Sequence, residues 1–187
     1  QVSEVCQIFE RINQAGKPLN IFDIVVAKTF RSESEVENGF YLRELIDDFR
    51  NKNNSAFLNI GDLDYLQILA VIINRNITDS KVRNITDRYL NEIKTEHIIS
   101  IWDDAQKAIL KTFDFFENHL HLRSPYLIPY RYFYLTISAY FYKNEKPNYD
   151  FLKKYFFSSC VNSKFASTAI SFKTISGFSF KYNFPEI

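Results

Sequence analysis

The sequence predicts a mainly α-helical, multi-helix single domain of about seven to nine helices, and three observations carry that expectation. Apolar residues recur at three- and four-residue steps, as in Val2, Val5, Phe9, Ile12 and again in Leu42, Leu45, Ile46, Phe49. Structure breakers are few, with Gly 4 and Pro 5 in 187 residues, which disfavours many short strands joined by turns. Hydrophobic content of 46% beside 24% charge is that of a globular chain, and the length suffices to bury a sizeable core. Phe 19 and Tyr 12 supply the large side chains to fill it.

The first helix is expected over about Val2 to Gln14 and the second over about Ile21 to Phe30, with Asn20 as the cap and Asp23 in the first turn. Residues 32–39 are polar and acidic and read as a loop. Tyr41–Asn51 is an amphipathic helix, and Asn51–Ser55 a polar break. Asp62 caps a helix reaching about Asn74 whose residues are apolar nearly all round, so it belongs deep in the core. Thr78 or Asp79 caps another, to about Lys94. The longest runs from Thr95 to about Leu120, with Ile98, Ile101, Trp102, Ala105, Ile109, Phe113 and Phe116 at helical steps. Pro129 suits a first helical position, and Tyr130–Tyr142 forms an aromatic helix. After a break at 144–148 come a helix over about Tyr149–Ser158 and a small-residue helix over 160–172. The domain closes at about residue 173, and 174–187 alternates apolar and polar like a strand or an extended tail.

Net charge is +1, which makes no global case for nucleic acid. Residues 143–187 are locally different, carrying 7 lysines against 3 acids, so phosphate contact is expected there if DNA is a partner. Cys6 and Cys160 have no paired spacing and read as reduced thiols of a cytoplasmic protein. The most apolar run, Tyr126–Tyr142, is interrupted by Arg131 and too short to span a bilayer, so no membrane partner is expected. The chain opens at Gln1 inside an apolar pattern and contains no methionine, and it is read as a fragment of a larger protein.

Constellations that could carry chemistry each meet a plainer reading. Glu117, His119 and His121 suggest a metal, but ligands on one helix face stand three or four apart, so no metal site is assigned. Asp47-Asp48 and Asp103-Asp104 point about 100° apart on a helix and read as solvated surface. Ser158, Ser159 and Cys160 lack a base close in sequence. The tyrosines of 126–142 could stack bases, but with Leu135, Ile137 and Ala139 beside them they read as core. No catalytic residue is assigned.

One stretch is more specific. In Ile8–Asn20, Gly16 can close a helix in the left-handed conformation and Pro18 cannot continue it. Arg11, Asn13 and Lys17 then gather beside the open amides of the next helix, a plausible place for a phosphate, although a plain capped corner explains the same spacing. Phe9, Glu10, Arg11, Ile12, Asn13, Gly16 and Leu19, followed by the apolar Ile21–Ala27, resemble a motif of the domain of unknown function at the N-terminus of GmrSD-type modification-dependent restriction systems. Trp102, Leu127–Tyr130, Tyr155–Phe157 and Ser163–Ser167 resemble it more loosely; a tryptophan near Tyr155 and an arginine near Lys164 are absent.

The resemblance implies that this chain is the helical part of such a domain, with a ParB-like half preceding it and, in many members, an HNH-type nuclease domain following. The nucleotide-linked Asp-Gly-Gln-Gln-Arg motif of the ParB-like half is not in this sequence. Arg11, Asn13, Gly16 and Lys17 would then complete the edge of a nucleoside triphosphate site in the full-length protein, while the chain itself holds no cofactor. The expected role is a regulatory and structural module of a nucleotide-dependent restriction or phage-defence protein. The alternative is an α-helical protein-interaction domain with no nucleotide ligand.

Overall fold

A computed structural model describes residues 20–35, 39–76 and 85–161. These fold into α1 (Ile21–Thr29), α2 (Leu42–Lys52), α3 (Asp62–Asn76), the single turn α4 (Asp87–Leu90), α5 (Thr95–Asp114), α6 (Tyr132–Lys143) and α7 (Tyr149–Val161). A π-helical turn, Phe115–His119, extends α5, and a 3-10 turn, Pro125–Leu127, precedes α6. Among the described residues the only β pairing is an isolated antiparallel bridge between Arg31 and Phe40, closed by Gly39 at φ 65. The protein is mainly α-helical, as expected. The expected helix at 2–14, the cap at Thr78 or Asp79, the helix at 160–172 beyond Val161 and the 174–187 tail lie outside the described residues.

α3 is the axis. Tyr65, Leu66 and every residue from Ile68 to Ile73 are buried, as the all-round apolar pattern requires. α6 runs parallel to it: Asp64 meets Arg131 at their N-terminal ends, and Asn76 meets Tyr142 and Lys143 at their C-terminal ends. Parallel neighbours need a crossover, and α4 and α5 provide it. α5 packs broadly on α6, with the Thr112 and Ser138 hydroxyls 3.0 Å apart in an otherwise apolar contact. Between them lies an aromatic interior in which Phe57, Phe116 and Tyr134 meet at centroid distances of 5.3–6.3 Å. Edge-on and tilted packing of this kind adds about 0.5–1.5 kcal/mol per pair beyond burial.

Several boundaries differ from expectation, each for a local reason. Asp62 is the first helical residue of α3 and not its cap. The cap is Gly61, whose carbonyl receives the Asp64 and Tyr65 amides, and Asp64 reaches back to the Gly61 N–H at 3.0 Å. Helix does not continue to Lys94: α4, capped by Thr86, ends at Leu90, and a fresh helix starts at Thr95, whose hydroxyl donates to the Thr29 carbonyl at 2.8 Å. Pro129 stands three residues ahead of α6 instead of opening it.

Candidate functional site

The described chain begins at Asn20, and its first contact is reciprocal capping. The Asn20 side chain accepts from the Asp23 amide at 3.0 Å, and the Asp23 carboxylate accepts from the Asn20 amide at 3.4 Å. Two orphan donors at the head of α1 are thus satisfied by sequence-local groups. Arg11, Asn13, Gly16 and Lys17, the expected nucleotide-facing residues, lie outside the described residues.

From that cap a chain of charges crosses one end of the molecule. Asp23 pairs with Arg43 at 2.7 Å, Arg43 with Asp62 at 3.1 Å, Asp62 with Arg50 at 2.7 Å, and Arg50 with Asp47 at 3.0 Å. Each arginine also covers an aromatic face, Arg43 over Phe22 and Arg50 over Tyr65, at about 5 Å from the centroids. Arg50 further donates to the carbonyls of Leu58 and Ile60, pinning the loop that feeds α3. Burial opposes its charge, but Asp62 and Asp47 outweigh burial and hold Arg50 above its usual value. Burial pushes the Tyr65 hydroxyl up to about 12 against the pull of Arg50. Through this network and the Asp64–Arg131 pair, the N-termini of α1, α3 and α6 share one end of the fold.

At that end Asp64 is buried. Its Oδ2 accepts from Gly61 and lies 3.5 Å from the mostly exposed Arg131, while its Oδ1 has no hydrogen-bond partner among the described residues. Burial pushes this carboxyl above its usual range, against Arg131 and the Gly61 amide. The Tyr134 hydroxyl, also buried and without a hydrogen-bond partner among the described residues, is raised chiefly by burial and then by the Asp64 charge. A side chain at Gly61 would crowd this carboxylate: a Cβ there would stand 3.1 Å from Asp64 Oδ2. Asp64 therefore acts first as a helix cap and carries an electrostatic cost.

The π turn shapes the neighbouring surface. Leu120 N–H bonds to Phe115 and Leu122 N–H to Phe116, with His121 between them at φ 56. This is a helix stop with a left-handed residue just past the end, normally a glycine position; histidine is one of the residues that tolerates it. The wider turn buries both Phe115 and Phe116 and lets Glu117 reach the 55–56 turn, accepting from Ser55 Oγ at 2.9 Å and Ala56 N at 2.7 Å. A polar cleft of about 270 Å³ remains, lined by Asn54, Ser55, Glu117, Asn118 and Arg123. Among the described residues Arg123 has no ion-pair partner.

Beyond Arg123 the chain turns outward. Ser124 caps the 3-10 turn by accepting from the Tyr126 amide at 3.3 Å, and Tyr126 is 97% exposed with Leu127 at 56%. Pro125 and Pro129 bracket the pair.

The structure separates several residues that the sequence groups. His119 stacks on Tyr149 at 3.9 Å, His121 ends the helix and Glu117 holds the 55–56 turn, so the three do not converge. No group of three or more His, Cys, Asp or Glu side chains among the described residues is placed to share a metal. Asp47 pairs with Arg50 and Asp48 with Lys52, pointing apart. Of the lysine-rich segment, Lys143 bonds to Asn76. The expectation that the 126–142 tyrosines are core holds for Tyr134 and fails for Tyr126, which precedes the helix and escapes its packing. Arg123, Asn54 and Asn118 were not singled out from sequence. A signal was present: from Asn118 to Asn144 there is no acid, and two prolines fence off 126–128.

Neither family models, nor curated proteins, nor solved structures contain a match to this chain. No helix among the described residues is long and apolar enough to cross a membrane.

Proposed function

We propose that this chain is the helical regulatory and structural module of a nucleotide-dependent DNA restriction or phage-defence protein, not catalytic by itself. The observation that supports the reading most directly is the reciprocal Asn20–Asp23 cap, which sets a helix start immediately after the Phe9–Leu19 motif. A phosphate approaching the head of α1 would meet the amides of Ile21 and Phe22, because the cap already uses those of Asn20 and Asp23. It would also meet the Asp23 carboxylate, which Arg43 compensates at 2.7 Å. That geometry fits a contributing edge, with Arg11 and Lys17 supplying charge, Asn13 a hydrogen bond and Gly16 the turn. A nucleoside triphosphate bound there would supply the hydrolysable phosphate bond; this chain's residues would hold and orient it.

The test is Arg11→Ala in the full-length protein. Nucleotide-dependent activity should be abolished with the melting temperature nearly unchanged; a large stability loss with activity retained would sink the reading. The second reading, a protein-interaction domain without nucleotide, draws on the exposed apolar side chains of Leu127, Phe157 and Val161. It requires that nucleotide leave hydrogen exchange around residues 11–20 unaltered.

A further inference from the structure

We propose that the proline-fenced turn carrying Tyr126 is a contact for single-stranded nucleic acid, with the Tyr126 ring stacking on a base and Arg123 and Arg131 taking the flanking phosphates. It rests on the DNA-associated reading above for its setting, though the contact itself needs neither nucleotide nor nuclease.

Four observations converge. The ring is 97% exposed, where a tyrosine kept for stability would cover apolar surface. Its backbone is held rigid by the Ser124 cap and by Pro125 at the head of the 3-10 turn, so little order is lost on binding. Cations flank the turn on both sides along the sequence. Backbone reach keeps Arg123 within about 11 Å of Tyr126 and Arg131 within about 18 Å. Arg123 has no ion-pair partner among the described residues, and Arg131 is 71% exposed with its single pairing at 3.5 Å. Finally, no acid occurs in the sequence between Glu117 and Glu145, so the turn has no negative side chain of its own to repel a phosphate.

Exposed aromatics beside cations are how sequence-tolerant proteins hold single strands, because every base offers a π face. The cleft beside Arg123 adds the Asn54 side chain for a base edge or a sugar hydroxyl; Asn118 there already donates to Asp114, and the Glu117 carboxylate in the same lining is engaged by Ser55 and Ala56. An acidic protein segment would satisfy the arginines but not the bare ring in the same way.

The experiment is fluorescence anisotropy of the 187-residue chain with labelled oligo-dT, oligo-rU and poly-Glu over a salt series. The wild type should bind the oligonucleotides with affinity falling as salt rises. Tyr126→Ala should weaken binding about tenfold, Tyr126→Phe should restore it, and both should melt with the wild type. Arg123→Ala should lower the salt slope by about 0.7. Absence of binding at low salt overturns the proposal, as does binding indifferent to Tyr126→Ala or matched by poly-Glu. Loss of nucleotide-dependent activity in Arg11→Ala, with oligonucleotide binding intact, would separate this turn from the nucleotide edge.

Discussion

Tyr134 and Tyr126 belong to one aromatic segment, yet the first is 3% exposed and the second 97%. Tyr134 lies inside α6, against Phe57, Phe113 and Phe116, where ring packing keeps it even though its hydroxyl finds no partner among the described residues. Tyr126 stands before the helix begins, on a turn whose backbone is closed by Ser124 and Pro125 and whose ring touches no core. The contrast teaches that helical position decides the role. A tyrosine carried into a packed interface is a hydrophobe with a stranded polar end; a tyrosine held outside it keeps its whole ring in solvent.

The largest expected effect tests the interior. Phe116→Ala deletes a ring packed on Phe57, Tyr134 and Phe156 and should cost about 3–5 kcal/mol, read by denaturant unfolding. A loss below about 1 kcal/mol would mean that the aromatic interior is not the main source of stability.

A sharper comparison is between two buried hydroxyls. Tyr65 donates to the Leu58 carbonyl at 2.7 Å, so Tyr65→Phe should cost about 1 kcal/mol. Tyr134→Phe removes a hydroxyl that pays desolvation without a bond and should be neutral or stabilising. Equal losses in the two variants would show that Tyr134 is bonded after all.

The smallest effect concerns Asp64. Burial raises its folded-state pKa above the ordinary carboxylate value of 3.8, so the native state holds the proton longer than the unfolded one. Stability should fall as pH rises through the window from about 3.8 to that raised value, and the penalty is complete above it. Asp64→Asn keeps an oxygen for the Gly61 amide but cannot ionise. Its melting temperature should therefore gain on the wild type as pH rises across that window, by an amount tempered by the Arg131 contact. A difference that stays flat with pH would show that Asp64 is solvated.

Much of the architecture was legible in the residue pattern. The apolar run through α3, the one-sided Leu42, Ile46 and Phe49 of α2 and the cap at Asn20 are local signals, and local signals survive folding. The helical class follows from them. The misplaced boundaries were decided elsewhere: α5 starts at Thr95 where Thr29 accepts its hydroxyl, and Gly61 caps α3 because Asp64 reaches back to it.

By itself, then, the sequence determined the helices and the character of their buried faces, because periodicity and capping act over a few residues. Tertiary structure alone decided which charges meet, since Asp23, Arg43, Asp62 and Arg50 come together only when α1, α2 and α3 pack. It also decided which rings are sealed and which, Tyr126 most of all, stand in solvent, because exposure depends on neighbours that lie far away along the chain.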